Sequence, residues 1–339
     1  MTLSALPATV PDLIRLVAVP VFAWAAIRDV RTRRVSSTLW IPLALLGAAT
    51  LVWDGWVAWS AGEFAWGAFV LPAAVSLGLV VPIAYLFWWV GGFGGADAKA
   101  LMVLALLFPT FPSYVVAGRE FPVATTPVDA FSFTILTNAV LVGLLIPIGL
   151  TIRNAVAGRV APVMVVGWPI TWERAASTHG RLLQTPEGLS RGGLDLDALR
   201  MYLRWRGLTL ADLRTDPDHY RNPATLPEEP NPPTDGRVGA SDFAPDGGAL
   251  VGDGEDSAER DHEREREDGF DDPWGAEAFL EDIEGTAYGT SPDALRDGLE
   301  VLVAEETVWI SPGTPFLVPV FAGLLVALVY GDLLAGVFF

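Results

Sequence analysis

The stretch Gly91-Gly92-Phe93-Gly94-Gly95-Ala96-Asp97-Ala98-Lys99 separates two long apolar runs, Phe64 to Val90 and Ala98 to Ala117. Four glycines in five positions cannot hold a helix, since each costs about 1 kcal/mol against alanine. Glycine also removes side-chain bulk and lets another backbone approach. A lone carboxylate, Asp97, follows at the mouth of the next apolar run. An ionisable group there is costly and points to function.

The flanking runs set the fold class. The 339 residues are 51% hydrophobic, yet the formal net charge is −18. The charge is not evenly spread: Thr151 to Pro312 holds 15 Lys+Arg and 32 Asp+Glu, a net of −17, and the rest holds 7 and 8, a net of −1. An apolar, nearly neutral membrane part is therefore joined to one acidic, water-facing part. The acidity argues against nucleic acid or an anionic lipid surface as partner of that part. It also resembles surfaces adapted to high salt, where ions screen self-repulsion. Cysteine is absent, so disulfides, thiolate nucleophiles and Cys-ligated zinc are excluded. The first apolar run lacks a preceding basic segment and is not expected to be a cleaved signal peptide.

A span needs about 20 mainly apolar residues. Six are expected: Asp12 to Ile27, Leu39 to Trp53, Phe64 to Val90, Ala98 to Ala117, Phe131 to Leu150, and Pro315 toward Phe339. The domains are then a five-helix membrane region over 1–150, an acidic cytoplasmic insertion over 151–312, and a final helix over 313–339. The fold class is an all-α polytopic membrane protein with a small inserted domain. Within the insertion, Val163 to Val166 could form a strand, and Leu194 to Arg214 reads as two short helices around Gly207. The Pro-, Gly- and acid-rich stretch 215–272, including Glu255 to Asp268, is expected to be disordered. Order resumes near Trp274.

Basic residues in short loops set orientation. Arg28, Arg31, Arg33, Arg34, Lys99, Arg153 and Arg159 fall in alternate loops, and the opposite loops hold only Arg119. This seven-to-one split puts the N-terminus outside and the insertion inside. It also places Asp29 and Asp97 on one side of the membrane.

Other chemistries lack their residues. No Gly-x-x-x-x-Gly-Lys-Ser/Thr loop, His-Glu-x-x-His pattern or Gly-x-Ser-x-Gly elbow occurs, and His179, His219 and His262 all lie in the insertion. Two aspartates remain. Asp29 ends the first span and Asp97 begins the fourth. If the spans pack, the two carboxyl groups meet and share a proton. One can then activate water while its protonated partner polarises a scissile carbonyl. Simpler roles compete: a span-end charge paired with a neighbouring arginine for Asp29, and a helix cap for Asp97. A transporter or scaffold is the competing class, although no second copy of the glycine–aspartate stretch marks a repeated half. Thr134, Thr137 and Asn138 are expected to hydrogen-bond between helices, and Asp332 to lie at the outer interface.

Phe93 to Lys99 resembles the Gly-x-Gly-Asp motif of intramembrane aspartyl proteases. Asp29-Val30-Arg31-Thr32-Arg33-Arg34-Val35-Ser36 resembles the other catalytic stretch of the type IV prepilin peptidase family, an aspartate followed four residues later by arginine. The opening of the last span, Pro315-Phe316-Leu317-Val318-Pro319, is similar to the archaeal branch that processes prepilins and prearchaellins. Ala96 replaces the motif's second glycine, and Ser36 stands where many relatives have proline. Arg28 before Asp29 departs from the Tyr-Asp pair of presenilin-type enzymes. The resemblance implies a membrane aspartic endopeptidase with Asp29 and Asp97 as catalytic residues. Gly94, Gly95, Ala96 and Arg33 would lie in the motif or the substrate approach. It implies no cofactor and no metal, prepilin and prearchaellin precursors as partners beside the lipid bilayer, and an active site near the cytoplasmic face. The zinc site and methylation activity of the bacterial branch are not expected without cysteine.

Overall fold

Proline and glycine punctuate the apolar helices of the membrane-type unit. In the computed structural model, the described residues are 8–33, 35–90, 94–126, 129–190, 192–236, 270–283, 287–313 and 315–338. Arg34, residues 91–93 of the glycine run and the acidic run Glu255 to Asp268 lie outside them. The chain divides into two units: 1–147 with 314–339, and 148–313.

In the first unit, α1 (Val10–Arg15) opens at an N-cap, Thr9, whose side chain accepts from the Asp12 N–H. After a short break α2 follows (Ala18–Thr32). Next come α3 (Trp40–Ser60), α4 (Glu63–Val75) and α5 (Val81–Trp89). A π-helical turn, Ser76–Val80, joins α4 to α5, and Pro72 and Pro82 flank this widened turn. Then come α6 (Gly95–Leu107), a hairpin of β1 (Tyr114–Val116) and β2 (Arg119–Phe121), and α7 (Phe131–Val156). Among the described residues, four helical runs are long and apolar enough to cross a membrane: Val10–Thr32, Ser37–Ser60, Glu63–Trp89 and Phe131–Val156.

Two expected spans differ in length from the reading of the sequence. The helix expected over Ala98 to Ala117 stops at Leu107. Pro109 disfavours helical backbone at Phe108, which sits at φ −126°, ψ 61°. The second expected span is longer than read: Asp54 lies inside α3. Its charge is met by Arg15, which bonds both Asp54 and, at 2.9 Å, Asp12.

Close backbone approach holds the first unit together. A Cβ on Gly47 of α3 would sit 2.9 Å from Leu106 Cβ of α6. Phe22, Trp40, Leu101, Leu104, Phe108, Phe131 and Ile135 fill the core.

The second unit has its own core. Strand β3 (Trp168–Thr171) and strand β4 (Arg181–Leu182) both pair antiparallel with β7 (Thr307–Ser311), while β5 (Gln184–Thr185) and β6 (Gly188–Leu189) form a separate hairpin. The chain is therefore mostly helical rather than all-α. The strand expected at Val163 to Val166 is instead a 3₁₀ turn over Pro162–Val165, with Pro162 opening it, and the strand starts at Trp168. The two helices around Gly207 are α8 (Leu196–Arg206) and α9 (Leu210–Thr215), with Gly207 at φ 72° ending the first. The expected disordered stretch does not begin at 215. Asp216 caps α10 (Pro217–Arg221), whose Pro at the first position suits a helix start. Arg206 donates to Tyr220 O at 2.7 Å and holds this helix to α8.

Two helices on the other side of residues 237–269, α11 (Ala276–Asp282) and α12 (Pro292–Ala304), complete the second core around Tyr202, Trp205, Trp274, Phe279 and Leu299. The first unit closes with α13 (Leu317–Val329) and α14 (Leu333–Phe338), which replace the single last span. Gly331, at φ 102° between them, turns the chain where a Cβ would strike Ala124 O.

Candidate active site

Helix α2 carries Asp29 one turn before its end. Arg33 closes the helix in the left-handed region at φ 54°, and its N–H donates to Asp29 O at 2.9 Å. The Arg33 charge lies within electrostatic reach of the Asp29 carboxyl group. Helix α13 packs on α2, and the N–H of Leu317 donates to Asp29 Oδ2 at 3.3 Å. An N-terminal helix N–H has no partner within its own helix, so a carboxylate satisfies it well.

Asp97 is the third residue of α6. It does not cap the helix from the first position, as its simplest role would have it. The N-cap is Gly94, in extended conformation, and Asp97 Oδ2 reaches back to accept the Gly94 N–H at 3.2 Å. A Cβ on Gly94 would stand 3.0 Å from Asp97 Oδ2. Glycine thus leaves room for the carboxyl group. Gly95 and Ala96 follow as the first two residues of α6, Gly95 exposed and Ala96 half-buried. Lys99, one turn on, donates to Ser37 Oγ at 2.7 Å and ties α6 to the start of the α3 run.

Both aspartates are half-buried, and their carboxyl groups lie within electrostatic reach of one another. In each, Oδ2 takes the backbone bond and Oδ1 stays outside these bonds. Two acids so placed can divide the roles of proton acceptor and proton donor. Among the described residues, no three or more His, Asp or Glu side chains gather as a metal-holding group.

Other polar clusters lie among the described residues of the first unit. The buried Asp332 accepts from Thr134 Oγ1 at 3.1 Å, and Asn138 donates to Gly331 O at 2.8 Å. Thr134 and Asn138 thus tie α7 to the segment after α13, while Thr137 bonds Thr134 O within its own helix. Ser76 donates to Ala105 O at 2.7 Å and meets Ser132 Oγ at 2.6 Å, beside the π turn. Another is Arg15 with Asp12 and Asp54. The Leu317 contact, the Ser76 network and the Arg15 cluster escape a reading of the sequence, because each depends on which helices touch. Only Pro315 to Pro319, singled out by resemblance, hinted at the first.

Residues 16–148 match the model of the type IV leader peptidase family. Residues 283–333 match the archaeal peptidase A24 C-terminus, type II. A preflagellin peptidase of Methanococcus voltae is 27% identical over 133 residues, covering 38% of this chain and 53% of that protein. The chain thus spans about half the length of the curated relative it matches. The first matched segment contains Asp29 and Asp97, and the second contains Leu317.

Proposed function

Because the chain belongs to the archaeal type IV leader peptidase family through residues 16–148 and 283–333, we propose that it is a membrane aspartic endopeptidase that removes short basic leaders from prepilin and prearchaellin precursors. The observation that carries this reading is the approach of Asp29 and Asp97 at two helix ends, each carboxyl group held by one backbone N–H. In the proposed reaction one carboxylate accepts a proton from water as the water oxygen attacks the scissile carbonyl carbon. The protonated partner donates a hydrogen bond to the carbonyl oxygen. Collapse of the tetrahedral intermediate breaks the C–N bond as the amide nitrogen takes up a proton from the pair.

In this reading the chain makes six membrane passes, with α6 and α13 as the two short ones. Each has 13 residues, about 20 Å of helix against a hydrocarbon core of about 30 Å. In this reading each short helix starts inside the bilayer boundary, so that Asp97 on α6 and Asp29, bonded to the first turn of α13, lie slightly below the surface. The basic-loop asymmetry supports a cytoplasmic face for that surface, with the N-terminus outside. A precursor whose basic leader stays inside while its apolar helix enters the membrane presents its junction at this depth. Mass spectrometry of a precursor incubated with membranes carrying the chain tests the reading. The expected new N-terminus lies between the basic leader and the apolar helix. Cleavage elsewhere, or none, contradicts it.

A further inference from the structure

The end of α7 carries an apolar surface that the proposed reaction does not use. Past the helix, Gly158 at φ 70° turns the chain, and the Arg159 N–H donates to Asn154 O at 2.8 Å. The chain then folds back through the Pro162–Val165 turn. Asn154 is fully buried, and its side-chain N–H₂ donates to Met164 O at 2.8 Å and to Gly167 O at 2.7 Å. One amide thus pins a hook of about ten residues to the last turn of α7. Ile152 is 59% exposed, Val156 85%, Val160 79%, Val165 41% and Val166 45%.

The hook is apolar outside and polar at its root. Arg153 stacks over the Trp168 ring at 5.0 Å, and Arg159 stands exposed at the turn. Apolar residues beside tryptophan and arginine form the composition of a membrane–water interface, where arginine reaches for headgroups and tryptophan sits between phases. The hook also carries basic residues in a part of the chain whose net charge is −17. It is continuous with α7, a helix long and apolar enough to cross a bilayer.

We propose that the segment Ile152 to Val166 is a lipid-facing hook. Its valines lie in the headgroup–acyl boundary of the bilayer that α7 spans, and Arg153 and Arg159 face the headgroups. The inference rests on α7 as a membrane span, not on the protease reading.

The chain has no cysteine, so single labels are clean. Full-length Val160→Cys and Val165→Cys, each carrying an environment-sensitive fluorophore, are reconstituted in vesicles containing anionic lipid. Leu145→Cys, on the 63% exposed face of α7, reports whether that helix is in lipid; Leu189→Cys, 50% exposed on β6, reports water. The expected result is blue-shifted emission at 160 and 165, quenched by shallow doxyl lipid and protected from iodide, with 145 in lipid and 189 open to iodide. Iodide quenching at 160 and 165 like that at 189, while 145 stays lipid-quenched, overturns the hook and leaves the span intact. Protection of 160 and 165 from both quenchers also overturns it, because a protein surface then covers the valines. Iodide quenching at 145 overturns the span and the hook together.

Discussion

The Leu317 N–H meets Asp29 Oδ2 at 3.3 Å across 288 residues of sequence. The first turn of α13 thereby sets its positive helix end against one of the two aspartates. The family matches fall on both sides of this contact, at 16–148 and 283–333. Between them runs the acidic unit, so the arrangement at Asp29 needs both ends of the chain. A fragment ending before residue 314 is expected to lack cleavage activity even when it inserts into membranes. Cleavage assays on that fragment, with and without a co-expressed 314–339 segment, check this.

Gly94 is expected to matter through space rather than backbone freedom, since its φ of −65° is open to any residue. Gly94→Ala puts a methyl group 3.0 Å from Asp97 Oδ2 and pushes the carboxyl group aside. A misplacement on the order of 1 Å costs roughly 10²-fold in a positioned reaction. A loss of about 10-fold or more in the cleavage rate is expected, at unchanged expression and melting temperature. An unchanged rate removes Gly94 from the positioning of Asp97.

Gly323 is expected to matter through packing. A Cβ there would lie 2.6 Å from Ala139 N and 2.8 Å from Ile135 O, both backbone atoms of α7 that cannot rotate away. Gly323→Ala should cost about 1–3 kcal/mol by overpacking. Gly67→Ala, with no atom within 4 Å of the new methyl group, should be neutral or stabilising by up to about 1 kcal/mol. Thermal unfolding in detergent separates the two.

The second unit should lose stability in acid through Glu300. Burial pushes this carboxyl group up, but hydrogen bonds from Arg221, at 2.7 Å to each oxygen, and from Trp274, at 2.9 Å, outweigh burial and hold it below the ordinary range. A depressed folded-state value gives stability that is full above the unfolded value, about 4.3. It is lost as pH falls through the lower folded value. Asp195 acts oppositely: burial raises it, so its cost is relieved on acidification. Glu300→Gln should therefore flatten the acid limb of a tryptophan-monitored unfolding curve. An unchanged limb assigns the acid sensitivity to other carboxyl groups.

Much of this organisation was legible from residues. The apolar runs marked where the four long helices start, because a 20-residue apolar stretch has few other uses, but stopped short of the ends at Thr32, Ser60 and Val156. Gly207 ended a helix as glycine does. Thr134 and Asn138 bond between segments as buried polar groups must. What escaped depended on partners distant in sequence. Asp54 looked like a loop residue because nothing nearby announces Arg15 as its counterion. The apolar runs at Ala98 and Pro315 look like full spans, but Pro109 and Gly331 cut them short. Val163 to Val166 has strand composition, yet Asn154 captures the carbonyls of Met164 and Gly167 and holds a turn there. At the aspartates, residue types and motif spacing suggested the pair; the bond from Gly94 is local, three residues from Asp97, while the bond from Leu317 comes only from three-dimensional packing.

In the proposed reaction Asp29 and Asp97 act together in cleavage. The most direct test is the cleavage rate of a basic-leader precursor by membranes carrying wild type, Asp29→Asn or Asp97→Asn at matched expression. Asparagine preserves size and can still accept the backbone bonds from Leu317 and Gly94, but it cannot exchange a proton. Cleavage by wild type and a loss of at least about 10³-fold in each variant are expected, on the order of removing a catalytic acid–base group. Cleavage at the wild-type rate by either variant would contradict that joint action.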